Sequence, residues 1–244
     1  MKKILELGCG SGLLYELLTR HLQQRISKAG RMPTPQELLE MSTQQSSMDF
    51  EYTGIDISSE MIAQANAKHG SQKNAQFLVM DMENLSYFPA NEFDAVISGF
   101  GSFSHPVNVP KAVSEIERIL KPGGKIFLMV YSRFSLKNIF KALTTFSINP
   151  LQEVHAYEIR KTSGSIFCDA RFYTKESIEK TFIHFEQLNV QGLNAVLELP
   201  LLRSPYLPAE KAKQAKKLLL AESKFLARFP NLCHSLIITG VLAK

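Results

Sequence analysis

The stretch ILELGCGSG, from Ile4 to Gly12, constrains the fold of this chain most strongly. A short apolar segment leads into three glycines at alternate positions, with the acid Glu6 just before them. Residues 12–22 follow with leucines at helical spacing. A strand, a glycine loop and a helix in this order build a cradle for an anion or a nucleotide, because glycine permits close backbone approach and the helix N-terminus offers unpaired N–H groups.

Strand and helix patterns alternate after this unit. The predicted strands are 52–58, 75–82, 92–101 and 125–131, and the helices between them are 59–69 and 108–120. Such alternation predicts right-handed crossovers and a parallel sheet with helices on both faces. Further along, the sequence predicts helices at 174–182 and 208–229 and strands at 185–199 and 235–243, the two strands forming a hairpin-like antiparallel addition to the sheet.

Composition sets outer bounds on the class of protein. The chain has 244 residues, of which 45% are hydrophobic, enough to bury the core of one domain over 1–244. No apolar run approaches the roughly 18 residues of a membrane helix, and the short N-terminus does not resemble a secretory signal. The three cysteines, at 9, 168 and 233, have no paired spacing, which predicts neither a disulfide framework nor a metal site and favours a cytoplasmic location. The net charge of +5 permits a polyanionic partner without requiring one.

Two common nucleotide-binding motifs do not fit the glycine loop. A P-loop requires a lysine that is missing here. The dinucleotide fingerprint requires GxGxxG, and Gly8 and Gly10 fit, but Leu13 stands where the third glycine belongs. An NAD-dependent oxidoreductase is therefore a distant alternative.

The segment from Glu6 to Gly12 resembles the ExGxGxG motif of class I S-adenosylmethionine (SAM) dependent methyltransferases. Three later segments extend the resemblance in order: GIDIS with Asp56, VMDMENL with Asp81, and FDAVISGFG followed by ILKPGGKIFLMV. It is specific over about 3–131 and looser over 172–243. It implies a Rossmann-like three-layer α/β sandwich with a mostly parallel seven-stranded sheet whose last strand is antiparallel.

The resemblance also implies SAM as cofactor, S-adenosylhomocysteine as product, and a set of cofactor-binding residues. Backbone at Gly8 and Gly10 would pass close to the methionine and ribose, and Glu6 would hold the loop and the cofactor amino group. Asp56 would accept from both ribose hydroxyls. The remaining members are Cys9, Ile57 packed on the adenine, Asp81 with the Met82 N–H at the adenine edge, and Ser98.

Structural explanations remain open for several of these residues. Asp56 could cap the helix over 59–69, although Ser58 can do this itself. Asp81 could be only a turn residue, and Cys9 a small packing residue. Gly12 serves either ligand contact or close helix packing.

The chain departs from the family in two places. One or two helices normally precede the first strand and help to roof the active site, whereas here the strand begins at once. Either the assigned start codon lies downstream of the true one, or another segment covers that face of the active site. The acid of the second strand normally follows the loop by about 20 residues, but Asp56 lies 44 residues after Gly12. The excess predicts an insertion at about 23–50, with a short helix over 35–41, that either roofs the site or is a surface excursion.

The carboxyl edge of the sheet, where ligands bind in such folds, supplies the candidate catalytic residues. His105, after the fourth strand, is a candidate base or substrate contact, or else a loop residue capping the next helix. Tyr131 and Arg133 follow the fifth strand. Residues 132–170 show no clean period and predict a lid or cap subdomain, in which His155 and Tyr157 could line the site.

These patterns predict in-line methyl transfer to a small, partly apolar acceptor. The residues SGFG replace the [ND]PPY tetrapeptide of DNA amino-methyltransferases, and the lysines of 208–229 fit a solvated helix face, so a nucleic-acid partner is disfavoured. The alternatives are an RNA or protein methyltransferase and a protein that binds SAM or S-adenosylhomocysteine without transfer. The acceptor atom and the oligomeric state stay open.

Overall fold

The computed structural model describes residues 1–28, 50–161, 164–193 and 229–243. The strands are β1 Lys2–Leu7, β2 Phe50–Asp56, β3 Ala75–Val79, β4 Phe93–Ser98, β5 Leu120–Ser132, β6 Val154–Lys161, β7 Gly164–Tyr173, β8 Phe185–Leu193 and β9 Ser235–Leu242. The α-helices are α1 Leu13–Lys28, α2 Ser59–His69, α3 Val109–Ile119, α4 Leu136–Thr145 and α5 Lys175–Thr181. The predicted helices 35–41 and 208–229, and the end of the predicted strand 185–199, lie outside the described residues.

The main sheet has the strand order β3-β2-β1-β4-β5-β9-β8. Strands β1 to β5 are mutually parallel, whereas β9 runs antiparallel to both β5 and β8. The predicted mostly parallel sheet with an antiparallel last strand is therefore confirmed, and pairing of β7 with β5 adds the β6–β7 hairpin, which makes nine strands instead of the predicted seven. The strand order reverses beside β1, and such a switch point opens a crevice at the carboxyl edge of the sheet.

Residues 132–170 contain regular structure that sequence analysis did not predict. They form α4 and most of an antiparallel hairpin of β6 and β7, which meets β5 through the pairs Tyr131–Phe172 and Ser132–Tyr173. The sequence of β6, VHAYEIRK, mixes charged and apolar residues instead of giving the apolar run of a strand buried on both faces. This is why its strand signal was missed.

The hydrophobic core lies on both faces of the sheet, as in a three-layer sandwich. Leu5 and Leu7 of β1 pack into the larger cluster, while Ile4 contacts a smaller one, because successive side chains alternate across a strand. Helix α3 buries one stripe against the larger cluster, with Ala112, Ile116 and other residues at helical spacing. Each fully buried Ile or Val there contributes about 1.5–3 kcal/mol.

The smaller cluster is aromatic and packs beside the glycine loop. Tyr15 of α1 lies 4.8 Å from Tyr52 and 5.9 Å from Phe77, measured between ring centroids. Cys9 is buried in the same cluster. The loop is thus fixed by core packing on its inner side. Within the described residues, no helix is long and apolar enough to cross a membrane.

Candidate functional site

The glycine loop adopts backbone conformations that only glycine takes readily. Gly8 and Gly10 have φ of +69° and +53°. A Cβ on Gly8 would lie 2.4 Å from the Cβ of Ser102, whose hydroxyl donates to the Gly8 carbonyl at 3.1 Å. A Cβ on Gly10 would meet no atom within 4 Å, so the space above Gly10 is open. The added Cβ of Gly12 would lie 2.8 Å from the His69 ring, which supports its packing role.

Asp56 ties the end of β2 to the glycine loop. Its Oδ2 accepts from the Gly10 N–H at 2.9 Å, and its Oδ1 accepts from the Ser58 N–H at 2.9 Å. Ser58 is the N-cap of α2 and accepts from the Met61 N–H, so the capping alternative for Asp56 is wrong. Because a carboxylate offers about four acceptor positions, Asp56 retains capacity for further donors.

Glu6 lies beneath the loop and is only 1% exposed. The Tyr52 hydroxyl donates to its Oε2. Burial, and secondarily the charge of Asp56, raises the pKa of Glu6 to about 8. The carboxyl group is therefore mainly protonated at neutral pH.

Two other predicted cofactor residues have buried side chains. Cys9 packs among Tyr15, Tyr52 and Phe77, and burial raises the pKa of its thiol far above the usual range. Ser98 is fully buried and donates to the Leu7 carbonyl at 3.1 Å. Both side chains stabilise the strands and the loop, and neither is among those that line the cavity described next.

A cavity of about 820 Å³ lies along the carboxyl edge of the sheet. On one side it is lined by five of the residues predicted to bind the cofactor: Gly8, Asp56, Ile57, Asp81 and Met82. Ile57 is 76% exposed, so an apolar surface faces this space. Asp81 also accepts from the Glu83 N–H at 2.9 Å, which makes it both a turn residue and part of the cavity wall.

The opposite side of the cavity contains both predicted catalytic residues, His105 and Tyr131. Their rings meet edge to face at 5.8 Å. His105 Nδ1 lies 3.2 Å from the Asp169 carbonyl oxygen, which can only accept, so Nδ1 carries the proton and Nε2 is left as an acceptor in the neutral ring. Cys168 Sγ lies 3.8 Å from the same Nδ1.

The turn after β4 brings this wall into place. Phe100 and Gly101 have φ of +54° and +83°, and a Cβ on Gly101 would lie 2.4 Å from the Tyr131 ring. The Tyr131 hydroxyl donates to the Phe100 carbonyl at 3.4 Å. A bulky residue such as Phe100 at positive φ is uncommon, and strain of this kind is concentrated at functional sites.

Several lining residues were not predicted from the sequence. They include Ser102, Lys137, Lys141, Cys168, Phe172 and His234. His234 precedes the antiparallel β9, so it stands at the carboxyl edge of the parallel strands, a position that the predicted strand direction could have revealed. His155 lines the cavity and stacks on Phe172 at 3.8 Å, whereas Arg133 donates from Nε to the Leu151 carbonyl and is not in the lining. The Tyr157 side chain lies outside the description.

The geometry fits SAM at the glycine-loop side. Open space above Gly10, a carboxylate with spare acceptor capacity at Asp56, and the exposed apolar side chain of Ile57 lie next to one another. These features match a ligand that has a polar chain, a ribose diol and a flat aromatic base. Within the described ranges, no group of three or more side chains is arranged to hold a metal ion.

Known proteins match the chain in sequence. Residues 34–128 match the family described as "Methyltransferase domain". The ubiquinone/menaquinone biosynthesis C-methyltransferase UbiE of Hydrogenovibrio crunogenus is 30% identical over 132 residues, 50% of this chain and 51% of that protein. The malonyl-[acyl-carrier protein] O-methyltransferase 2 of Ilyobacter polytropus is 28% identical over 143 residues, 57% of this chain and 44% of that protein. The chain spans about half the length of the curated relatives it matches.

Solved structures match over the whole chain. A SAM-dependent methyltransferase from Methanosarcina mazei has a TM-score of 0.56 at 17% identity and covers 99% of this chain and 92% of its own. At this identity the likeness establishes the fold, and the matched domain agrees with it. The chain thus contains a region similar to a methyltransferase domain and has the fold of SAM-dependent methyltransferases.

Proposed function

We propose that this protein transfers a methyl group from SAM to a small-molecule acceptor. The observation that carries the proposal is the single cavity that joins the glycine-loop side to the wall of His105 and Tyr131. Its volume of about 820 Å³ is in the upper part of the range of about 300–1,000 Å³ for ligand pockets. A cavity of this size can hold a cofactor and a small acceptor side by side.

The proposed cofactor half of the cavity is formed by residues at the ends of β1, β2 and β3. Backbone at Gly8 and Gly10 would pass along the methionine and ribose, and Asp56 would accept from the ribose hydroxyls. Asp81 and the Met82 N–H would meet the adenine edge, with Ile57 on its face. Glu6, Cys9 and Ser98 would act mainly from beneath, by holding the loop and strands, and Glu6 would also accept from the cofactor amino group.

When bound, SAM supplies an electrophilic methyl group on a sulfonium. The protein then has to align the acceptor with that methyl and exclude water, and alignment alone can lower a barrier by about 7–11 kcal/mol. The buried Tyr131 and the stacked pair of His155 and Phe172 form the wall that would position the acceptor. If the acceptor is a hydroxyl group, His105 would remove its proton through Nε2, the nitrogen left unprotonated by the contact with the Asp169 carbonyl.

The lining favours a small molecule over RNA or protein. Aromatic rings at positions 100, 131 and 172 line the cavity, in agreement with a partly apolar acceptor. The relatives named above are a C-methyltransferase of ubiquinone/menaquinone biosynthesis and a malonyl-[acyl-carrier protein] O-methyltransferase, so they do not define one acceptor atom. A protein that only binds the cofactor would need no aromatic-lined acceptor side in its cavity.

We further propose that the chain is one domain, with an insertion at about 23–50 and a cap over about 132–170. The three cysteines have no paired spacing in the sequence, which supports a cytoplasmic location.

Calorimetric titration with S-adenosylhomocysteine tests the cofactor assignment. We expect micromolar binding to the wild-type chain and its loss in Asp56→Ala. The control is Glu179→Ala, which removes an exposed acid on α5 outside the cavity lining. Transfer of radiolabelled methyl from SAM to a panel of small aromatic acceptors then tests the reaction. A folded protein that does not bind S-adenosylhomocysteine would refute the proposed function.

A further inference from the structure

The cavity has an acidic side and a basic side. Among the described residues, the carboxylates of the lining are Asp56, Asp81 and Glu83, all near the ends of β2 and β3. The lysines of this described lining, Lys137 and Lys141, belong to α4, which follows β5. Strands β1 and β4 lie between β2 and β5, and three spacings of about 4.8 Å separate these strands by about 14 Å. The acids and the lysines therefore occupy different ends of the cavity.

The three acids are already engaged at their own end. Asp56 accepts from the Gly10 and Ser58 N–H groups, Asp81 from the Glu83 N–H, and Glu83 from the Val107 and Asn108 N–H groups. These bonds hold the carboxylates to the backbone of the proposed cofactor half.

The basic end concentrates positive charge on one helix. Lys137 and Lys141 are four residues apart, so they share one face of α4. The first turn of α4 adds its own partial positive charge, and its N-cap, Ser135, is in the cavity lining. Glu153, just before the hairpin, forms an ion pair with Arg171.

The histidine beside these lysines is neutral rather than a further cation. Burial lowers the pKa of His155, and the charge of Lys141 lowers it further. Its ring stacks on Phe172, and Phe172 packs 5.7 Å from Tyr131. A flat apolar surface therefore adjoins the two ammonium groups.

We propose that the methyl acceptor is an anion, whose carboxylate or phosphate binds Lys137 and Lys141 while its apolar body packs against Phe172 and Tyr131. This inference rests on the proposed function, because it specifies the acceptor for the same cavity. It makes α4 the element that selects charged acceptors over neutral ones.

Three probes with one ring system isolate the charge: 2-naphthoate, 2-naphthyl phosphate and the neutral 2-naphthamide. Each is titrated calorimetrically into the full chain saturated with S-adenosylhomocysteine. We expect one or both anions to bind about tenfold or more tightly than the amide, as charge-assisted hydrogen bonds predict. The better of the two anions distinguishes a carboxylic acid from a phosphate ester as the natural acceptor class.

Variants then locate the anion site. Lys141→Met and Lys137→Met should each reduce anion binding about tenfold and leave the amide and S-adenosylhomocysteine unaffected. Lys180→Met, on α5 and outside the lining, is the matched control and should change nothing. Unchanged S-adenosylhomocysteine affinity also shows that each variant is folded.

The outcomes separate this inference from the proposed function. If S-adenosylhomocysteine binds but the anions bind no better than the amide, or no probe binds, the anion site is refuted and the cofactor assignment stands. If S-adenosylhomocysteine does not bind but anions still bind in a lysine-dependent way, the anion site stands and the methyl-transfer proposal fails.

Discussion

Replacing Glu6 by Gln should make the stability of this protein less sensitive to alkaline pH. The folded-state pKa of Glu6 is raised to about 8 from an ordinary value of 4.5. Between these two values the folded chain keeps a proton that the unfolded chain has released, so stability falls as pH rises. At about 1.4 kcal/mol per pKa unit, the loss amounts to about 5 kcal/mol when pH 8 has been passed.

Glutamine does not titrate, and its amide oxygen can still accept from the Tyr52 hydroxyl. The free energy of unfolding of Glu6→Gln, minus that of the wild type, should therefore increase by about 4 kcal/mol between pH 5 and pH 8.5. Titrating groups that are not coupled to Glu6 cancel in this difference. Urea unfolding followed by circular dichroism at half-unit pH steps gives the required values.

Glu179→Gln serves as the control, because it removes an exposed acid, and its difference from the wild type should stay flat. The reasoning is refuted if the Glu6→Gln difference is equally flat over this range. A difference that falls with rising pH would show that Glu6 is stabilised as an anion, which contradicts the argument from burial.

Three other perturbations test separate parts of the structure. Gly8→Ala should abolish S-adenosylhomocysteine binding, because the new Cβ would lie 2.4 Å from that of Ser102. Gly123→Ala is the control and should keep binding, since Gly123 has a similar φ and no atom lies within 4 Å of its added Cβ. Equal affinities of the two variants in calorimetry would contradict the steric argument. Ile116→Ala should lower the free energy of unfolding by about 2–5 kcal/mol, since Ile116 is fully buried. A loss below about 1 kcal/mol in urea unfolding would mean that α3 is not packed as described. With a hydroxyl acceptor, His105→Gln should reduce kcat about 10²–10⁴-fold without changing S-adenosylhomocysteine affinity, and an unchanged kcat would remove His105 as the base.

The cofactor half of the cavity was largely predictable because its determinants are local in sequence. Gly8 and Gly10 mark the loop directly, Asp56 ends the recognisable apolar strand β2, and Asp81 closely follows β3. Parallel strands bring those ends to one edge, so their proximity follows from the fold class. The raised pKa of Glu6 could not be predicted from the sequence, because it depends on how deeply the carboxyl group is buried beside the Tyr52 side chain.

The acceptor half depends on contacts between distant parts of the chain. His105 was found because it follows a predicted strand, whereas the sequence did not indicate that Lys137 and Lys141 of α4 line the cavity. Phe172 belongs to the β6–β7 hairpin, whose mixture of charged and apolar residues gave no recognisable strand pattern in the sequence. His234 reaches the cavity only through the antiparallel direction of β9.

The segment between β5 and α5 begins and ends at neighbouring backbone positions. The Arg133 N–H donates to the Tyr173 carbonyl at 2.8 Å, and Ser132 is in register with Tyr173. An intervening loop whose ends already meet can be replaced by another of different length at small entropic cost. Residues 133–173 thus form an exchangeable cassette, and grafting the corresponding segment of another methyltransferase onto this sheet should transfer acceptor preference while the cofactor cradle is left intact.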